Sequence, residues 1–178
     1  MQPAVFLDRD GVLNKRHFPV VRRPDQLVLL PGLGEAAARL SKAGYALCIA
    51  TNQELVGHGY ITRADHDEVM RLCVAALESE GAKVTGVYAC VHPRGSGCDD
   101  QKPKPGMLLQ AAREHGLDLA RSFMVGDQRK DMQAGRAAGC RTVLVDPRLR
   151  TRLQGAERYA DHVCADLPAA ASWILAQG

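Results

Sequence analysis

Phe6-Leu7-Asp8-Arg9-Asp10-Gly11-Val12 sets two carboxylates two residues apart, and an extended segment directs side chains at that spacing to the same side. Alone, the pair reads equally well as a helix cap followed by a turn acid ahead of Gly11. Gly126-Asp127-Gln128-Arg129-Lys130-Asp131 adds two more acids, spaced so that one could meet a metal and the other stand behind it. Carboxylates with room for water and phosphate suit octahedral magnesium, which takes few protein ligands and keeps its waters. Ala50-Thr51-Asn52-Gln53 offers a hydroxyl, amides and backbone N–H groups to phosphate oxygens, or else forms a plain polar turn. Lys102-Pro103-Lys104-Pro105-Gly106 brings a cation just before a helix whose N-terminus also favours anions.

A second kind of chemistry is written between Cys90 and Asp100. Cys90-Val91-His92 and Cys98-Asp99-Asp100 present paired ligands, and zinc accepts Cys, His and Asp in a four-coordinate structural site. The segment from Val91 to Pro105 is a long loop, which in a compact domain is usually functional or metal-bound; the alternative is a metal-free Gly-rich loop. Cys48, Cys73, Cys140 and Cys164 lie in apolar segments and read as buried thiols.

The elements that must position these groups are βα units. Short apolar runs rich in β-branched residues at Ala4 to Leu7, Tyr45 to Ala50, Gly86 to Val91, Phe123 to Val125 and Thr142 to Val145 predict strands. Helical patterns fall between them: Gly34 to Ala43, a helix capped by Thr62 with Asp65 in capping-box spacing, Gly106 to His115, Lys130 to Ala138 and Leu167 to Ala176. Alternation of this kind predicts an α/β fold around a mostly parallel sheet. In such sheets ligands bind outside the carboxyl ends of the strands. Asp8, Thr51 and Gly126-Asp127 all sit at predicted strand ends, so they should converge there.

Length and composition set the remaining bounds. The chain of 178 residues, 46% apolar and 24% charged, is read as one domain spanning residues 1–178 with an ordinary core. A net charge of +3 is too small for a nucleic-acid footprint unless the cations cluster, and the Arg148, Arg150, Arg152 stretch reads as a solvated loop. No run approaches the ~20 apolar residues of a membrane span, and Met1 to Ala4 shows no signal-peptide pattern. A cytoplasmic, monomeric protein with no nucleic-acid or membrane partner is expected, its cysteines reduced.

In order, Asp8-Arg9-Asp10-Gly11, Thr51, Lys102-Pro103 and Gly126-Asp127 with Asp131 resemble the four motifs of the haloacid dehalogenase-like (HAD-like) phosphatases across nearly the whole chain. The resemblance implies a single doubly wound sheet and magnesium-dependent phosphate release. It makes Asp8 the nucleophile and Asp10 the general acid and then base, for which a pKa raised by the neighbouring anions would suit. Thr51 and Lys102 would hold the phosphoryl group, magnesium would lie on Asp8, Asp10 and Asp127, and Asp131 would support that site. No insertion after Asp10 or between Gln53 and Lys102 is long enough for a separate cap domain.

The Cys-rich loop is similar to the zinc loop of the D-glycero-D-manno-heptose 1,7-bisphosphate 7-phosphatases and the related histidinol-phosphate phosphatases. That resemblance implies a zinc-loop insertion with Cys90, His92, Cys98 and Asp100 as ligands. Asp100 stands where those families carry a last cysteine, and Gln101 where they carry an arginine linked to substrate recognition. Arg16, His17, Phe18 and Pro19 match a substrate-contacting segment, with Asn52, Gln53 and Gln101 as further contacts. The basic loop favours a phosphorylated sugar with a second phosphate, placing the heptose bisphosphate of lipopolysaccharide precursor synthesis first and histidinol phosphate second. A receiver-like phosphoacceptor combines similar residues but lacks a carboxylate two positions after the acceptor, so Asp10 argues against it. A zinc-dependent interaction module leaves the acids, Thr51 and Lys102 without a role.

Overall fold

In the computed structural model, residues 1–16, 20–147 and 155–177 are described. Short strands with both faces buried can alternate their side chains between two layers of helices, and the sheet is built that way. β1 (Ala4–Leu7) sends Val5 and Leu7 into one layer and Ala4 and Phe6 into the other. β2 (Ala46–Asn52), β4 (Phe123–Gly126) and β5 (Arg141–Val145) divide in the same way. On the first face lie α1 (Leu33–Lys42), α3 (Arg63–Glu78) and α6 (Leu167–Leu175), which contribute Leu40, Leu77 and Ile174 to one core. On the second lie α4 (Gly106–His115), with Met107 and Leu108 against Phe6 and Met124, and α5 (Arg129–Ala138), with Met132 against Leu144.

β3 (Val84–Cys90) and β6 (His162–Cys164) form the edges of a six-stranded sheet in the order β3-β2-β1-β4-β5-β6. Every pairing is parallel. The chain winds outward from β1 through β2 to β3, then returns to the other side of β1 as β4. The reversal lies between β1 and β4, the position where open α/β sheets bind ligands. Leu7 pairs with Ile49 on one side and Val125 on the other, so Asp8, Ala50 and Gly126 lie at one level.

The predicted strands and helices are all present, with ends moved by a residue or two. Tyr45 falls outside β2 because its N–H donates to Leu40 O at 3.1 Å, closing the end of α1 instead of joining the ladder. The Thr62 cap forms, accepting from Asp65 N at 3.0 Å. Sequence reading misses β6 and the single turn α2 (Glu54–Gly57), since three or four residues are too few to display a period. Between Asp10 and α1 the chain folds back on itself, with Lys15 N donating to Val28 O at 2.7 Å and Leu30 N to Leu13 O at 2.9 Å. The four cysteines read as core thiols are buried, and burial pushes Cys48 and Cys140 up to about 12. The Arg148, Arg150, Arg152 stretch lies outside the described residues. No described helix is long and apolar enough to cross a membrane.

α5 approaches the sheet at Gly135, where a β-carbon would stand 2.7 Å from Met124 Cβ and 2.8 Å from Thr142 Cγ2. Alanine would gain up to about 1 kcal/mol of helix propensity but overpack rigid strand positions at about 1–3 kcal/mol. Gly135→Ala should therefore lower stability by roughly 1–2 kcal/mol, read from the midpoint of denaturant unfolding.

Candidate active site

Lys102 is carried by the segment leading into α4, yet its ammonium lies under the end of β1. Its Nζ donates to Ala50 O at 2.7 Å and Asp8 Oδ1 at 2.9 Å, and pairs with Asp131 Oδ1 at 2.6 Å. Burial works against that charge, but Asp131 and Asp8 outweigh it and hold the ammonium protonated well above lysine's ordinary range. Asn52 fixes the lysine's backbone: Lys102 N donates to Asn52 Oδ1 at 3.0 Å, and Asn52 Nδ2 donates to Lys102 O at 2.9 Å. The amide read as a substrate contact thus holds Lys102 in place.

Carboxylate oxygens of Asp8, Asp127 and Asp131 lie within 4.8 Å of one another. Two glycines permit that crowding. A β-carbon on Gly11, whose φ is 92°, would fall on the Asp127 carboxylate, and one on Gly126 would fall on Asp131. Asp131 is held from behind by the first turn of α5, its Oδ2 accepting from Gln128 N at 3.0 Å. Burial, then the neighbouring acids, pushes Asp8 above its ordinary range despite Lys102, and pushes Asp127 up to about 7. Asp127 Oδ2 accepts from Arg16 Nη1 at 2.8 Å, while its buried Oδ1 has no hydrogen-bond partner. Three buried carboxylates around one lysine, with an oxygen left unpartnered, are a donor set that fits a hard divalent cation.

Asp10 departs from expectation in position and in charge. The strand stops at Leu7, and Val12, Leu13 and Asn14 N–H groups fold back onto Arg9 O, so Asp10 lies in a turn, not on an extended segment. Its carboxylate takes Arg9 Nη2 at 2.9 and 2.8 Å, Asn14 Nδ2 at 3.1 Å and Gln53 Nε2 at 3.1 Å. Asp131, not Asp10, supplies the third side chain of the acid group. Burial alone would raise Asp10, but the buried Arg9 guanidinium and these donors outweigh it and hold the carboxyl below the usual range, opposite to the raised pKa expected. Gln53 also donates to Thr51 Oγ1 at 3.0 Å, joining Thr51 to Asp10 through one amide.

The Cys-rich loop gathers as its ligand types suggest. Cys90 Sγ stands 3.8 Å from His92 Nδ1 and 3.8 Å from Cys98 Sγ. Two sulfurs each about 2.3 Å from a tetrahedral zinc would be about 3.8 Å apart. Asp100 Oδ2 lies 3.9 Å from Cys98 Sγ but outside the mutually close group of Cys90, His92 and Cys98. Burial first, then Cys98 and Asp100, pushes the Cys90 thiol up to about 11, a penalty that a bound cation would reverse.

A HAD-hydrolase-like family model matches residues 100–170. The D-glycero-D-manno-heptose-1,7-bisphosphate 7-phosphatase of Thermosynechococcus vestitus is 40% identical, covering 97% of this chain and 95% of its own. The β-anomer enzyme of Bordetella bronchiseptica is 37% identical over 96% of this chain and 97% of its own. The crystal structure of the D,D-heptose 1,7-bisphosphate phosphatase from B. bronchiseptica, complexed with magnesium and phosphate, superposes with a TM-score of 0.86 at 33% identity, covering 99% of each chain. The chain belongs to the heptose bisphosphate phosphatase family.

Gln101 turns toward its own loop, with Nε2 donating to His92 O at 3.3 Å. His17, Phe18 and Pro19 lie outside the described residues. The open space beside the acids is a cleft of about 260 Å³ that reaches Asp10 and is walled by Arg16, Val20, Asn52, Gln53, Glu54, Leu55, Arg94, Gln128 and Lys130. Sequence reading missed Arg9 and Asn14 beneath Asp10 and Arg94 and Lys130 on the wall. Arg9 carries a signal, being flanked by both motif acids; Arg94 and Lys130 carry none short of the fold.

Asp127 gives the metal-free protein a distinctive pH dependence. Its folded pKa of about 7 lies above the ordinary 3.8 of an aspartate in the unfolded chain, so its contribution to stability is fully present below the unfolded value and is lost as pH rises through the folded one. In chelator, lowering pH from 8 toward 5 should strengthen the wild type relative to Asp127→Asn, by no more than about 4 kcal/mol for a displacement of this size. Denaturant midpoints of both proteins across that range check the slope, and excess magnesium should abolish the difference in slope.

Proposed function

We propose that this chain releases the 7-phosphate of D-glycero-D-manno-heptose 1,7-bisphosphate through a phosphorylated Asp8. What carries the reading is Asp8 at the sheet's switch point, 2.9 Å from Lys102 Nζ and beside the unpartnered Asp127 Oδ1. The substrate follows from the relatives' shared specificity. Magnesium held by Asp8, Asp127 and Asp131 would neutralise charge between carboxylate and phosphate.

The residues then divide the work. In the first half-reaction an Asp8 oxygen forms a bond to phosphorus as the phosphorus–sugar oxygen bond breaks, and Asp10 gives its proton to the departing oxygen. Lys102 offsets the repulsion between two anions, and Asn52 keeps it aligned. In the second, water attacks phosphorus, the Asp8–phosphorus bond breaks, and Asp10 takes the water's proton. Arg9, Asn14 and Gln53 hold Asp10 ionised at rest, the form the second half needs. An arriving phosphate dianion raises its proton affinity, which loads it for the first. Thr51 offers its hydroxyl to the phosphoryl oxygens.

A zinc ion on Cys90, His92 and Cys98, with Asp100 or water completing four ligands, fits the loop that walls the cleft through Arg94. Metal analysis of purified protein should find about one zinc per chain. Cys98→Ser should lose it and raise KM more than it lowers kcat, because a structural metal shapes the wall and not the chemistry; a metal-free protein with an unchanged KM would refute the assignment.

Phosphate release from the heptose bisphosphate should require magnesium and vanish in Asp8→Asn, with its thermal midpoint retained. Asp10→Asn should fall by about 10²–10⁴-fold. Activity surviving in Asp8→Asn, or after rigorous chelation, would overturn the proposal.

A further inference from the structure

We infer that Lys130 is the specificity residue for the second, uncleaved phosphate of the substrate. The inference rests on the reading of the site as a sugar-bisphosphate phosphatase.

Lys130 sits in the first turn of α5 and lines the cleft that reaches Asp10. The end of the helix that carries it bears partial positive charge, so acids are stabilised there and cations are disfavoured. Arg129, its neighbour, has a structural explanation: Nη2 donates to Tyr159 OH at 3.0 Å and the guanidinium lies 5.0 Å from that ring's centroid. Lys130 has none. It is half-buried, and among the described residues its ammonium has no hydrogen bond or ion pair.

The other cations on the cleft wall are occupied. Arg16 is committed to Asp127 at 2.8 Å, and Arg94 faces Glu54 at 3.7 Å, itself on the wall. Gln101 is neutral, and its amide is turned to His92 O at 3.3 Å. An anion entering the cleft with one phosphate at Asp8 therefore finds at Lys130 a charge with no competing partner, reinforced by the helix end. A monophosphate gains little from that contact, whereas a bisphosphate gains a charge-assisted one.

The test compares wild type, Lys130→Gln and Lys130→Arg on heptose 1,7-bisphosphate and heptose 7-phosphate, with magnesium present. Lys130→Gln should lose about 10–100-fold more kcat/KM on the bisphosphate than on the monophosphate, chiefly through KM. Lys130→Arg should restore most of the loss. The thermal midpoint of Lys130→Gln should not fall, because the change removes a cation from a helix start, so lost folding cannot mimic the effect. Equal losses on both substrates, or none, would overturn the role of Lys130 while leaving the phosphatase reading standing. A wild type that releases phosphate from the monophosphate but not from the bisphosphate would overturn both.

Discussion

Everything at this sheet edge depends on keeping buried negative charges side by side. Asp8, Asp127 and Asp131 repel one another in a low-dielectric setting, and leaving any one of them uncompensated would cost several kcal/mol. Lys102 is the internal answer. Its ammonium, fully enclosed, divides itself between Asp8 and Asp131 and ties both to the end of β2 through Ala50 O. One lysine cannot balance three carboxylates, however. The residual charge is expressed as the raised proton affinity of Asp8 and Asp127 and as the recruitment of Arg16 from the surface. The site is thus strained electrostatically in a way that a divalent cation would relieve.

The backbone serves the same constraint. Parallel register sets the end of β1 level with Ile49 of β2 and Val125 of β4, and the reversal of strand order sends the chain after β1 and after β4 to helices on opposite faces, which opens a crevice at their carboxyl ends. Gly11 and Gly126 remove the two β-carbons that would keep Asp127 and Asp131 away from the backbone. An aspartate can therefore be set against a turn, and the acids reach 4.8 Å of one another. Any side chain at either glycine would push the acids apart before it touched anything else.

Beside the acid group a second, opposite electrostatic arrangement operates. Arg9 is almost fully enclosed and spends both hydrogen bonds of its Nη2 on Asp10, holding that carboxyl ionised a short distance from acids that resist ionisation. Two classes of carboxylate with displaced proton affinities, one up and one down, suit the proposed two-step acyl-phosphate reaction, which would need a nucleophile and a separate proton carrier. Gln53 links that carrier to Thr51, and Asn52, the last residue of β2, holds Lys102, so two adjacent residues at the end of that strand orient different participants.

The sequence by itself determined the parts that chemistry makes local. The βα alternation is legible because a buried parallel strand must be apolar along its length, and the motif acids, Thr51, Lys102 and the Cys90, His92, Cys98 set are legible because ligand and nucleophile types are few. Tertiary structure alone decided their relations. Whether Asp10 or Asp131 completes the acid group depends on a turn closed by Arg9 O and on a capping bond from Gln128 N, contacts that no spacing rule encodes. The sign of the Asp10 pKa shift depended on which of two neighbours was nearer, the acids of the site or Arg9. Asn52 read as a ligand contact because an amide at a strand end can face outward, and only the partner fifty residues away showed that it holds Lys102. Arg94 and Lys130 are ordinary surface cations in the sequence; they become the wall of a cleft only when the loop after β3 and the start of α5 fold to either side of Asp10. Electrostatic energies fall off with distance and grow with burial, and neither quantity exists until the chain has folded.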